Sequence, residues 1–222
     1  MLRTPKAPIV CYVTDRKSLS GGPRGTAIRE KIQMAIEAGA DWVQIREKDL
    51  PGRELTDLVC GAVAAGREHA ISRVIVNDHL DVALATGAAG VHLGRESLNA
   101  REVVQWCKSG NAPADFLVGV SCHSLDEARD AENVGVSYVF FGPVFDTPSK
   151  RGLGAPQGVA SLADICGSVR IPVIAIGGLD ENSALECVRA GAAGIAAIRM
   201  FQEARDAREL KDAVQGIRQL TP

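Results

Sequence analysis

The sequence predicts an α/β protein folded as one closed (β/α)8, or TIM-type, barrel, and three observations carry that expectation. Eight short apolar runs alternate strictly with eight segments of helical period. Such alternation gives parallel strands joined by right-handed crossovers. The chain has 222 residues, close to the roughly 250 typical of such a barrel. Finally, a repeat marks every second unit. Glu37–Val43, Ala85–Val91, Asn133–Val139 and Arg189–Ile195 look alike, and Gly39, Gly87, Gly135 and Gly191 each follow a helix. A left-handed residue at that point ends a helix cheaply. The restriction to even strands matches a barrel interior filled by side-chain layers from alternate strands. An ordinary loop preference would explain the glycines but not that restriction. An open doubly wound sheet is the other arrangement the alternation allows.

Each element follows from the local pattern. Ile9–Val13 is an apolar run ended by Thr14-Asp15, and helical periodicity covers Thr26–Ala38. Trp42–Ile45 stops at the charged Arg46-Glu47-Lys48, before a helix over Arg53–His69. Arg73–Val76 stops at Asn77-Asp78, before a short helix at Leu80–Thr86. Gly90–Leu93 precedes a helix at Ala100–Lys108, and Phe116–Val120 precedes one at Ser124–Glu132. Tyr138–Phe141 runs into a long polar loop and then a helix at Ser161–Cys166. Pro172–Ile176 and Glu181–Ala190 form the seventh pair, Gly194–Ile198 and Ala207–Leu220 the eighth. With no linker or low-complexity stretch in sight, one domain over residues 1–222 is expected, residues 1–8 being an N-terminal extension.

Composition excludes several classes. Of the residues, 46% are hydrophobic and 23% charged, enough apolar material to offset the entropy of ordering. Lys and Arg number 25 against 27 Asp and Glu, so the basic excess of a nucleic-acid binder is missing. No apolar run approaches the roughly 20 residues of a membrane helix. The apolar stretch near the N-terminus is too short for a signal core. Cys11, Cys60, Cys107, Cys122, Cys166 and Cys187 form no C-x-x-C pair. They read as reduced core thiols of a cytoplasmic protein. The expected partners are small molecules, with no nucleic acid and no membrane. The outer helices advertise no interface, and a homo-oligomer stays open.

In barrels of this type the site lies at the C-terminal strand ends. Alternation after strand two puts Gln44, Arg46 and Lys48 on one side, as an anion and hydrogen-bonding site or as a solvated strand end. Asn77-Asp78 after strand three is either functional or a helix cap. His92 in strand four reads as a satisfied core histidine, whereas His123, just past strand five, is a candidate. The loop Gly142–Gly154 breaks the short-loop economy. Long loops in compact domains tend to be functional, and the hydroxyls and cations of Thr147, Ser149, Lys150 and Arg151 suit phosphate oxygens. Gly177-Gly178 after strand seven and Arg199 after strand eight stand where barrels commonly hold phosphate. Asp78 suits such an anion site if it holds a cation, and Mg²⁺ bound through a carboxylate plus substrate phosphates fits.

Ile9–Asp15, Val43–Lys48, Val76–Asp78, Gly90–Gly94, Gly119–His123, Gly142–Phe145 and Ile176–Gly178, taken in order, resemble the thiamine phosphate synthase/TenI family over nearly the whole chain. The family fold is a (β/α)8 barrel. The resemblance implies a transferase that joins a pyrimidine diphosphate to a thiazole phosphate, giving thiamine phosphate and diphosphate. It implies that the carbon–oxygen bond breaks early and that the thiazole nitrogen attacks the resulting pyrimidine cation. By motif, Gln44, Arg46, Lys48, Asn77, Ser121 and Lys150 contact the pyrimidine diphosphate, with Lys48, Ser121 and Lys150 in the catalytic set. Asp78 holds Mg²⁺, and Thr147, Ser149, Gly178, Ile198 and Arg199 line the thiazole-phosphate side. Gly94-Arg95-Glu96-Ser97 departs from the pattern, because the family's second metal carboxylate is Ser97 here; Glu96 or a water is the expected substitute. Asp146 stands where such synthases carry proline. Ser121–Ala128 and Val144–Leu153 are also similar to the sister branch, the thiazole tautomerases. There His123 would shuttle a proton without metal. The intact Lys48, Asn77 and Asp78 favour the synthase, and they argue against a third reading, a regulator that kept the barrel and lost its chemistry.

Overall fold

The computed structural model describes residues 7–19, 24–69, 73–147 and 155–220. Eight strands, β1 (Ile9–Val13), β2 (Trp42–Ile45), β3 (Arg73–Asn77), β4 (Gly90–Leu93), β5 (Leu117–Cys122), β6 (Tyr138–Phe141), β7 (Val173–Ile176) and β8 (Gly194–Ala197), pair in sequence order. All pairs are parallel, and β8 closes on β1 through Ile9–Gly194 to Tyr12–Ala197. That closure decides for the barrel over the open sheet. Around it lie α1 (Arg24–Glu37), α2 (Gly52–His69), α3 (Leu80–Ala85), α4 (Ala100–Trp106), α5 (Leu125–Val134), α6 (Gly158–Ser168), α7 (Glu181–Arg189), α8 (Arg199–Gln202) and α9 (Ala207–Arg218). The N-terminal ends of α4, α5, α7 and α9 are capped by the side chains of Asn99, Ser124, Asp180 and Asp206, which satisfy otherwise orphaned amides.

The four repeat glycines do what the repeat predicts: all have φ between +67° and +95°. The repeat also sets the barrel floor. Three residues after each glycine stand Trp42, Gly90, Tyr138 and Gly194, at equivalent inward positions of the four even strands. The two rings meet across the axis, 4.7 Å apart and edge to face. At the other two positions the neighbouring strands, at Leu117 and Ile9, leave no room for a side chain. A Cβ on Gly194 would lie 2.3 Å from the Ile9 carbonyl oxygen, and one on Gly119 of β5 would lie 2.1 Å from the Tyr138 ring. Ile9, Cys11, Val13, Ile75, Leu117, Phe140, Ile174 and Ala196 complete this buried interior cluster, while a larger, mainly aliphatic cluster fills the space between sheet and helices.

Three differences from the sequence reading have local causes. Strand β5 continues to Cys122, so Ser121 belongs to the strand and not to the loop. The run Gly194–Ile198 reads as uninterrupted strand, but a short helix, α8, begins at Arg199. Phe201 of α8 is fully buried and stacks on Tyr12 of β1 with ring centres 4.8 Å apart, which draws this extra turn onto the barrel. Cys60 is exposed on α2, unlike a core thiol, whereas Cys11, Cys122 and Cys187 are buried; all six cysteines are free. Among the described residues, no helix is long and apolar enough to cross a membrane.

Candidate active site

The C-terminal strand ends enclose a cavity of about 430 Å³. Gln44 reaches it from β2 and is 2% exposed, yet its Nε2 has no hydrogen-bond partner. A buried donor left unmade costs about 1–3 kcal/mol, so the cavity floor is built to meet an acceptor. Arg46 also lines the cavity. Its backbone N–H donates to the buried Thr14 hydroxyl at 2.9 Å. Next to it, the buried Glu47 carboxylate accepts from the Arg16 backbone N–H at 3.1 Å and from its guanidinium at 3.2 Å. Asp49 grips the same guanidinium at 2.6 Å, and the two carboxylates push the Arg16 pKa above its ordinary value. Thr14 and Glu47 therefore fix the backbone that carries Arg46. Lys48 is a correction: it lies past the end of β2, exposed, and lines an adjoining cleft instead of the cavity with Gln44 and Arg46. The strand alternation that grouped the three stops at Ile45.

That cleft also holds Asp78, Glu96 and Ser97, and Asn77 lines both the cleft and the cavity. Asp78 has φ +65°, a left-handed conformation, with its N–H donating to the His92 carbonyl at 2.9 Å. Aspartate tolerates that region better than most residues. Its carboxylate does not cap α3, whose N-terminal cap is His79 without a side-chain bond; the capping alternative fails. Instead it accepts from the Asn77 amide at 2.7 Å and from the Ser97 hydroxyl, and Ser97 accepts from the Gly94 N–H at 2.6 Å. Glu96 is exposed and lines the same cleft. Among the described residues no three His, Cys, Asp or Glu side chains gather as a metal cage. The donors present are hard oxygens: one carboxylate beside one hydroxyl. That set fits Mg²⁺ of the kind held by one or two carboxylates plus substrate phosphates, and no softer metal.

Ser121 and His123 both line the cavity. Ser121 pairs with the His92 Nε2 at 2.9 Å, and His92 is 2% exposed with its Nδ1 3.2 Å from the Tyr138 hydroxyl. Burial lowers the His92 pKa to about 3, so the ring is neutral. The core-histidine reading of His92 holds, but it missed that the ring supports Ser121. Asn77, His92 and Gly119 share one inward register, which brings the His92 ring against Ser121. His123 Nδ1 bonds to the Gly142 carbonyl oxygen. A carbonyl only accepts, so Nδ1 carries a proton and donates it to this bond.

Opposite, Gly177, Gly178, Ile198, Arg199 and Thr147 line the same cavity. The glycines are demanded by the neighbouring loop: a Cβ on Gly178, at φ +70°, would lie 2.5 Å from the Asp146 carbonyl oxygen. Asp146 itself is exposed. Ser149 and Lys150 lie outside the described residues. Gln44, Arg46, Asn77, Ser121, His123, Thr147, Gly177, Gly178, Ile198 and Arg199 thus share one cavity, while Lys48 and Asp78 share the cleft beside it. Asp15, Ser18 and Leu179 line the cavity as well; Asp15 closes the first of the resemblance motifs, whereas Ser18 and Leu179 carried no distinctive pattern.

A closed parallel barrel with a polar, part-cationic pocket at its C-terminal mouth belongs to the large class of barrels that handle phosphorylated small molecules there. The comparisons narrow the class. A family model described as thiamine monophosphate synthase matches residues 10–201. The thiamine-phosphate synthase of Chlorobium phaeobacteroides is 37% identical over 202 residues, covering 91% of this chain and 92% of that protein. That of Chlorobium limicola is 39% identical over 215 residues, covering 95% and 96%. Among solved structures, the thiamine phosphate pyrophosphorylase of Pyrococcus furiosus superposes with a TM-score of 0.80 at 33% identity, covering 94% of this chain and 95% of that one. The chain belongs to the thiamine monophosphate synthase family.

Proposed function

We propose that the barrel mouth joins a pyrimidine diphosphate to a thiazole phosphate, releasing diphosphate and giving thiamine phosphate. The observation that carries this reading is that Asn77 lines both the cavity and the polar cleft beside it. One substrate spans both, with its ring on Gln44 and its diphosphate beside Lys48 and Asp78. The thiazole phosphate takes the opposite wall, its phosphate at Gly177, Gly178 and Arg199. The fourfold set of relatives and family match, wall and cleft supports that reading together.

The residues act mainly by placement and charge. The pyrimidine carbon–oxygen bond breaks, and the diphosphate leaves with the bonding electron pair. Arg46 and Lys48 offset the charge that collects on it. Ser121 and Gln44 hold the pyrimidine, and Lys150 joins them in the reading taken from the sequence. Val13, Phe140 and Ile176 wall the cavity and keep water from the cationic carbon, so the thiazole nitrogen forms the new bond. Asp78, with Ser97 against it, would hold Mg²⁺, which when bound neutralises diphosphate charge. The protein is further read as cytoplasmic, acting on small molecules.

A second reading has one observation in its favour. His123 lines the cavity with its Nδ1 committed to the Gly142 carbonyl, so its Nε2 is the atom that a metal-free thiazole tautomerisation would use. It leaves the cleft of Lys48, Asn77 and Asp78 without a role. Incubating the protein with both substrates and Mg²⁺ decides: thiamine phosphate and diphosphate are expected. Isomerised thiazole phosphate without metal would favour the second reading, and tight binding without turnover would contradict both.

A further inference from the structure

Below the cavity, three polar side chains stand in a row through the barrel interior. Tyr138 on β6 is fully buried, and among the described residues its hydroxyl has no hydrogen-bond partner except His92 Nδ1, 3.2 Å away. The other ring nitrogen of His92 lies 2.9 Å from the Ser121 hydroxyl, which lines the cavity. Phe140 packs against the imidazole with ring centres 4.4 Å apart, and the missing side chain of Gly119 makes room for the phenol.

Only one proton arrangement satisfies every group in this row. The phenol proton is buried, and leaving it without an acceptor costs a full desolvation penalty. Its one acceptor is Nδ1, so Tyr138 donates and Nδ1 is bare. A neutral imidazole then carries its proton on Nε2, and Nε2 donates to the Ser121 oxygen. The serine oxygen is engaged from below, so its own proton points into the cavity. In the reverse arrangement Nδ1–H would donate to the phenol, the phenol proton would have no acceptor, and Nε2 would draw the serine proton away from the cavity.

We propose that Tyr138, through the tautomer it imposes on His92, fixes the Ser121 hydroxyl as a hydrogen-bond donor toward an acceptor atom of the bound pyrimidine diphosphate. Tyr138 and His92 are positioning residues, and the proposal rests on the function above only for the identity of the ligand. A serine proton free to rotate would meet an acceptor or a donor equally well. A serine held from below selects the acceptor.

The test reads the tautomer directly, by multiple-bond 15N–1H NMR of the histidine rings in the full chain. There are four histidines, and single His69→Gln, His79→Gln and His123→Gln variants identify the remaining signal as His92. The expected result is a neutral ring protonated at Nε2, and a mixture of tautomers in Tyr138→Phe. A ring protonated at Nδ1 in the unaltered protein overturns the proposal, and that measurement stands even if Tyr138→Phe fails to fold. In turnover, Tyr138→Phe should raise KM for the pyrimidine substrate about tenfold, the worth of one hydrogen bond, with KM for the thiazole phosphate unchanged. Equal losses for both substrates would mark a merely structural tyrosine and contradict the proposal. An Nε2–H ring in a protein that condenses no substrates would instead remove the proposed reaction and leave the row of hydrogen bonds standing.

Discussion

At the scale of single residues, the pocket trades stability for binding. The unpaired Nε2 of Gln44 is a standing cost, so Gln44→Met should raise the unfolding free energy by about 1 kcal/mol while raising KM for the pyrimidine substrate. Denaturant titration beside steady-state kinetics checks both halves. Asp78→Ala should remove Mg²⁺-dependent turnover, and unchanged turnover would take Asp78 out of the metal role. Ser97→Asp adds a carboxylate where one hydroxyl now touches Asp78. Calorimetric titration should then show tighter Mg²⁺ binding in the presence of diphosphate, and an unchanged affinity would separate Ser97 from that site. His123→Ala should spare synthesis. Legibility at this scale was uneven for a physical reason. Polar residues at strand ends were visible as costly exceptions to an apolar run, which is how Gln44 and Asn77 were found, whereas Ser121 came from the family resemblance. Lys48 was misplaced because the period of two holds only while the strand lasts. His92 was dismissed because a sequence does not show that its two nitrogens face a phenol and a serine.

At the scale of elements, the strands were legible nearly to the residue because each is a short, mostly buried apolar run bounded by glycine, charge or polar residues. The even-strand repeat was legible too, and the structure supplies its reason: Trp42 and Tyr138 fill the barrel floor, Gly90 and Gly194 stand where the neighbouring Leu117 and Ile9 leave no room for a side chain, and Gly119 makes room for the Tyr138 ring. Gly119→Ala should destabilise the barrel by at least the roughly 1–3 kcal/mol of ordinary overpacking, because the added carbon would meet a ring that cannot retreat. A shift in denaturation midpoint with unchanged slope reads it. Asp180→Ala, at the capped start of α7, should cost about 1 kcal/mol. The short helix α8 was illegible, since its stability comes from Phe201 stacking on a distant Tyr12 and not from its own four residues.

At the scale of the whole molecule, folding fixes one imidazole in its neutral form. Burial lowers the His92 pKa to about 3, below the ordinary value of about 6.5. The unfolded chain therefore binds a proton that the folded chain refuses between those values. Stability is full above pH 6.5 and falls as the pH drops, by about 2 kcal/mol from this group between pH 7 and 5. Denaturant midpoints across that range measure it, and a flat profile would contradict a buried neutral His92. The central claim concerns the mouth of the barrel as a unit, a cavity for rings joined at Asn77 to a cleft for a metal-bound diphosphate. Its most direct test is a crystal structure grown with diphosphate and Mn²⁺ as an anomalous stand-in for Mg²⁺. The account predicts the anomalous peak against the Asp78 carboxylate, with diphosphate oxygens beside Lys48. A peak elsewhere, or an empty cleft at saturating ligand, would contradict it.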